Sequence, residues 1–332
     1  MRKYFSFILF SGLFFWSCDD GNENIVKPVP DAGALRFFVD GNVLENTQYF
    51  TVDASAGGSV YCDEGTVIEF APESFIDREG NIVTGEVYVK VIEIFNRSAM
   101  VLMQKPTMGR TETGGLTALK SGGQFYVSAT KKQGGDLRGP ELSLAKEYVI
   151  IAPVSNTGEA DDNMQLFTGV EECNENRCNV IWEEQAGERN VAIDGFQNAG
   201  GGYTAYYAFQ SRFGWTNIDR WYNDPRPKTT VTVHVPEGYN NANCAVYMAY
   251  KGDAALALFD RYDEDTKLFS EHYGLVPIGL EVHFILVSII DDRVHYAVQS
   301  ATITEGHQQV IKTDDVKAIS EAALIDLIDA LP

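Results

Sequence analysis

The ten residues Glu86-Val-Tyr-Val-Lys-Val-Ile-Glu-Ile-Phe95 decide the class of this chain. Val87, Val89, Val91 and the Ile94-Phe95 pair alternate with charged Glu86, Lys90 and Glu93, the period of an antiparallel strand with one wet face. Upstream, Asp77-Arg-Glu-Gly80-Asn81 supplies Gly and Asn where a hairpin turn needs positive φ. Short runs rich in aromatic and β-branched residues precede it at Tyr49–Val52, Ser59–Cys62 and Thr66–Phe70. Gly123–Thr130 and Glu147–Val154 follow it and complete a first domain over 35–155.

The polar, aperiodic stretch from Asn156 to Asn163 reads as a linker. A second series of strand-like runs fills 164–312, from Asn179–Glu183 through Tyr203–Phe209 and Thr229–Val235 to Val282–Ile290 and Val294–Val298. Only the last block, 313–332, has helical spacing. Thr313 caps it, Asp314 and Asp315 suit the first turn, and Val316, Ile319, Ala323 and Leu327 recur on one face. The expected fold is all-β: two antiparallel β-sandwich domains of Ig-like or Greek-key type, then a short C-terminal helix.

The first residues carry an address. Arg2 and Lys3 precede an uncharged run from Tyr4 to Trp16, too short to span a bilayer, and Ser17-Cys18 follows. A small residue followed by Cys resembles a bacterial lipoprotein signal, which implies cleavage after residue 17 and a lipid on Cys18. Asp19 and Asp20 resemble the surface-export signal of Bacteroidota lipoproteins, and 18–34, with Pro28 and Pro30, reads as a flexible tether. The resemblance implies an outer-membrane protein anchored through Cys18 and facing the cell surface, with a periplasmic location as the alternative.

Acidic residues outnumber basic ones by 47 to 26 among 332 residues, a net charge of −21, and losing Arg2 and Lys3 takes it to −23. Such a surface repels phosphate backbones and anionic headgroups, so no nucleic-acid partner is expected. Cys173-Asn-Glu-Asn-Arg-Cys178 lies in a polar turn between strand-like runs, where a disulfide suits an exported protein. A zinc site would need further Cys or His partners, and none lies nearby. Cys62 and Cys244 sit in apolar runs and read as buried free thiols.

A family resemblance covers residues 50–155. The order GGSVYC, TVIEFAPESFIDREGNIVTGEVYVKVIEIFN, SGGQFYVSAT resembles the β-sandwiches of exported Bacteroidota proteins. Pro72, Phe75, Asp77, Gly80, Val83 and Gly85 occupy a P-x-x-F-x-D-x-x-G-x-x-V-x-G hairpin. More distantly it is similar to the sandwich of ankyrins and netrin receptors. The resemblance implies an interaction or structural module with no catalytic set, and the His-Phe-Ser motif of autoproteolytic relatives is absent. Residues 160–310 look like the second half of similar uncharacterised lipoproteins.

No HExxH, GxSxG, phosphate loop or CxxC motif occurs. His234, His283 and His295 lie in strand patterns, the latter two on an expected hairpin that could bring them together; solvated or core histidines are the plainer reading. Asp260, Asp263, Glu264 and Asp265 crowd a turn without EF-hand spacing, which favours a solvated acidic turn over a calcium loop. No metal and no cofactor is expected. The candidate ligand-binding cluster is Trp215, Asn217, Asp219, Arg220, Trp221 and Tyr222, since rings give contact area and polar neighbours give direction. The alternative is that these rings plug one end of a sandwich. The chain therefore reads as a non-catalytic binding, adhesion or scaffold module with an unknown protein or glycan partner. The competing expectation is a glycan-binding or glycan-processing lipoprotein working through Trp215 and Trp221.

Overall fold

The computed structural model describes residues 29–131, 139–173, 178–185, 191–198 and 201–332. The expected signal peptide, Cys18, Asp19, Asp20 and most of the expected tether lie outside the described residues. What is described is all-β in class, with four multi-stranded sheets, a two-stranded ribbon and three α-helices.

A five-stranded sheet, here the outer sheet, runs in the order 191–198, 201–210, 148–153, 67–70, 58–61. A seven-stranded sheet lies beside it in the order 48–53, 86–94, 116–131, 214–221, 165–173, 178–184, 108–110. Val87, Val89, Val91, Phe125 and Val127 of the second pack on Ile68, Phe70, Ile150 and Tyr206 of the first. The opposite face of the seven-stranded sheet meets a second five-stranded sheet, ordered 256–258, 244–250, 281–290, 293–302, 317–319. Ile92, Ile94, Trp182 and Trp215 there touch one cluster with Ala245, Tyr247, Ile285 and Val287. A four-stranded sheet (261–263, 268–277, 228–234, 308–310) closes the far side. Val231, Val233 and Phe269 of this sheet share a core with Val246, Met248 and Phe284.

The two inner sheets are therefore covered on both faces, which explains Cys-Ala-Val-Tyr-Met-Ala-Tyr at 244–250. Every residue of that strand is buried, alternately into one core and the other. It also changes the reading of Glu86–Phe95. The strand alternates as expected as far as Lys90, then turns fully buried from Val91 onward, where both faces are covered. Glu93, grouped by its charge with Glu86 and Lys90, is two residues from Val91 and so in phase with the valines; it is 6% exposed and accepts from Gln48 Nε2 (2.8 Å) and the amides of Glu64 and Thr66. Burial raises its carboxyl above the ordinary range despite those bonds.

Three expectations about boundaries are corrected. The linker at 156–163 does not separate one set of strands from another. Strand 214–221 pairs with 116–131 from Gly214–Val127 to Trp221–Leu119, and 201–210 pairs with 148–153. Each ladder joins residues from either side of 156–163, and the passage to the remaining two sheets comes after Trp221 instead. The tether ends earlier than 34, because α1 (Ala32–Glu45) starts where Asp31 Oδ1 accepts from the Ala34 amide at 2.8 Å. The Asp31 amide in turn donates to Ile289 O (2.8 Å), seating the helix against the second five-stranded sheet. At the other end, Lys317–Ile319 is a strand paired with Val294–Tyr296, so Val316 and Ile319 are not helical. The last helix, α3 (Glu321–Asp329), is capped by Ser320 and buries Leu324 and Ile328. Between these two helices lies α2 (Arg97–Leu102), whose Ser98 Oγ donates to Asp329 of α3 at 2.8 Å.

Candidate functional site

Strand 214–221 carries five of the six predicted binding residues, with Tyr222 directly after it, and turns four of them toward the second five-stranded sheet. Trp215, Asn217, Asp219 and Trp221 alternate onto the face that meets the second five-stranded sheet. Trp215 is 6% exposed, set edge-on to Trp182 (6.3 Å between centroids) and donating from Nε1 to Glu171 Oε1 at 3.0 Å. Asn217 and Asp219 have no exposed surface, and Asn217 Nδ2 donates to Asp219 Oδ2 at 2.6 Å. Burial holds the Asp219 carboxyl well above the ordinary range, against the pull of its bonds to Ser121, Gly122 and Asn217. Arg220 points to the other face and pairs with Asp161 (2.6 Å) rather than with Asp219. Trp221 is half-buried, its Nε1 donating to Glu184 at 2.7 Å, and Tyr222 stands edge-on to Tyr250. The expected surface is thus interior at Trp215, Asn217 and Asp219, because the strand carrying them is central in a sheet covered on both faces.

The aromatic surface lies one strand earlier in the sequence. In Tyr203-Thr-Ala-Tyr-Tyr-Ala-Phe209, alternation sends Tyr206 and Ala208 into the core while Tyr203, Ala205, Tyr207 and Phe209 face away from the seven-stranded sheet. Register then lines up Ala192, Tyr207, Ile151, Val67 and Tyr61 as one row across all five strands of the outer sheet. Val67, Ile151 and Ala205 are buried beneath the half-buried Phe196, Tyr203 and Tyr207. Tyr61 and Phe209 stay open, at 60% and 47% exposure. Phe196 and Tyr203 flank the row with ring centroids 5.3 Å apart.

The phenols on this face are held in place. Tyr203 OH donates to Gly65 O at 3.0 Å and Tyr207 OH to Gly195 O at 3.3 Å. Both pKa values are raised, first by burial. Tyr207 and Tyr61 then add to the Tyr203 shift, and Asp194 and Glu69 to that of Tyr207. Exposed Asp194 and Glu69 therefore border the rings as acceptors. The run at 203–209 was visible as an aromatic strand. Which of its faces is open depends on the layer order, to which single-strand periodicity is blind.

The remaining candidates resolve without chemistry. Cys173 and Cys178 are bonded (S–S 2.09 Å), closing the hairpin between 165–173 and 178–184, while Cys62 and Cys244 are free and buried. Asp263 Oδ1 accepts from the Asp265 and Thr266 amides and caps its own turn. His283 lies opposite Ser300 and His295 opposite Ser288, so the hairpin keeps the two histidines apart. Among the described residues no three His, Cys, Asp or Glu side chains are grouped to hold a metal ion.

No family model matches the chain, and no curated protein matches it. Among solved structures it is similar to the γ-CGTase of an alkalophilic Bacillus clarkii, at 11% identity and a TM-score of 0.19. That match covers 78% of this chain, which spans 41% of the enzyme's length. A superposition that loose carries no argument about fold or activity.

Proposed function

We propose that the protein is a lipid-anchored, non-catalytic binding module of the cell envelope, built as two sandwich-like sheet pairs and presented on the outer membrane through Cys18. Its ligand class is a neutral glycan, taken on the aromatic row of the outer sheet rather than at Trp215 and Trp221. The observation that supports this is the five-strand row ending in Tyr61, with Tyr203, Tyr207 and Phe209 beside it and Asp194 and Glu69 at its border. The C–H faces of pyranose rings stack on such flat aromatic surfaces, and their hydroxyls donate to carboxylates. The net charge of −21 argues against anionic polymers as the ligand.

Tyr61→Ala combined with Phe209→Ala removes two exposed rings and should leave thermal stability nearly unchanged. Affinity for a neutral polysaccharide found on a glycan array should fall at least about tenfold. An array empty of neutral glycans, or a double variant that binds like the parent, would reject the glycan reading. The anchor is tested apart from it. Cys18→Ser should abolish fatty-acid labelling, and replacing Asp19 and Asp20 with Ala should make the protein protease-protected on intact cells. Unchanged labelling rejects the anchor, and unchanged accessibility rejects the export signal.

A further inference from the structure

Lys105 is a buried cation that nothing in the fold so far accounts for. It follows α2 immediately, where Gln104 adopts positive φ (51°) and the Lys105 amide donates to Met100 O at 2.8 Å. Gln124 Nε2 holds its carbonyl at 3.1 Å, so the backbone is fixed from both sides. The side chain is 6% exposed, and Nζ lies 5.4 Å from the centre of the Trp215 ring. Among the described residues that ammonium makes no hydrogen bond and no ion pair. Glu171 and Asp40 are near enough for their charges to favour its protonation, yet burial outweighs them and its pKa lies below the ordinary lysine range. A largely buried ammonium with no protein acceptor is costly, and an indole face replaces only a fraction of its hydration.

The same lysine lines a cavity of about 250 Å³. Leu35, Val39 and Val43 of α1 form its apolar wall, and Arg36, Asp40 and Glu171 stand around it as exposed charges. A fixed cation beside an apolar wall calls for an anion with an apolar body. The two acidic groups at the entrance disfavour ligands carrying more than one negative charge. The volume lies just below the usual range of ligand pockets, which keeps the ligand small.

We propose that this cavity binds a small molecule with one carboxylate on an apolar body, Lys105 taking the carboxylate and Leu35, Val39 and Val43 the body. The proposal is independent of the aromatic face, which lies on another sheet. The carboxylate could come from a short branched acid or from an apolar amino acid, whose ammonium Asp40 or Glu171 would accept.

Calorimetric titration of the mature chain with 4-methylpentanoate, leucine and 4-methylpentanamide tests it. Saturable binding of either acid, with the neutral amide at least about 30-fold weaker, is the expected result, and the acid that binds better identifies the source. Lys105→Met should abolish acid binding. Val39→Phe, which fills the cavity while leaving the lysine in the chain, should do the same if the methionine variant fails to fold. Amide binding equal to acid binding, unchanged binding in the folded variants, or no saturable binding by either acid would overturn the proposal.

Discussion

Trp215→Ala should destabilise the protein by about 3–5 kcal/mol, while Trp221→Ala should cost roughly half as much or less. The two tryptophans lie on the same face of the same strand, but their surroundings differ. Trp215 is buried against Trp182 and, at 5.2 Å, against Tyr126, and it forms the floor under Lys105. Its neighbour on the adjacent strand is Gly169, where an added Cβ would sit 2.4 Å from the Trp215 Cβ. The sheet is built around that side chain, and little surrounding structure can collapse into the space it would leave. Trp221 also sits close over a glycine, Gly109, and edge-on to Phe167 at 5.3 Å, but one side of it reaches solvent beside Glu184. A loss of about 3–5 kcal/mol is a large share of the roughly 5–15 kcal/mol that holds a typical protein folded. Urea unfolding of both variants, with coincident fluorescence and circular-dichroism transitions, measures the difference. Equal losses would mean that the solvent-facing side of Trp221 is energetically irrelevant.

Local chemistry was legible in the sequence, and layering was not. Alternation in Glu86–Phe95 marked a strand, and its first half behaves as the pattern says. Glu93 misled because its charge suggested a wet face, although it stands in phase with Val87, Val89 and Val91, and the core face it shares with them supplies Gln48, Glu64 and Thr66 as partners. The N-terminal helix escaped because Gly33 and Gly41 dilute its propensity and its apolar residues circle the axis instead of forming a stripe. Asp31, three residues before the amide it caps, was the available sign. The boundary at 156–163 was misplaced for a topological reason. A polar segment marks a turn equally well between domains and between strands of one sheet. Only the ladder from Gly214 to Val127, 87 positions apart, shows which it is. Three of the six candidate site residues are covered for the same reason. Trp215, Asn217 and Asp219 have the chemistry of a binding surface, and so do Tyr61, Tyr203 and Tyr207. Coverage by the next sheet separates the two groups, and coverage is not written in either strand.

Lowering the pH from 8 to 5 should stabilise this protein, and Glu271→Gln should remove much of that dependence. Glu271 lies opposite Val231, at the point where strand 268–277 bulges: the next register pair is Thr229–Val276, so 272–275 face Thr230 alone. The bulge buries the carboxyl to 2% exposure. Burial first, and the Asp260 charge second, push its pKa from 4.5 up to about 8, against the pull of the Tyr273 and Gly274 amides. Asp260 is itself engaged, accepting from Tyr273 OH at 2.8 Å with His272 Nδ1 3.6 Å away. The folded chain thus keeps a proton that the unfolded chain releases above pH 4.5. Unfolding therefore releases a proton between pH 4.5 and about 8, so stability falls as pH rises through that window and is highest near its lower end. A shift of this size corresponds to something on the order of 4 kcal/mol across the window. Glu93 and Asp219, both raised by burial, act in the same direction. Asp224, held down to about 2 by its bonds to Arg226, acts oppositely, but its contribution is lost only below the ordinary carboxylate pKa. Glutamine keeps the shape of the protonated acid and cannot ionise. The variant should match the parent near pH 5 and exceed it at pH 8 in urea unfolding. A parent more stable at pH 8 than at pH 5, or a variant with the parent's full slope, would mean that Glu271 is ionised inside the fold and that the bulge supplies it with more than two amides.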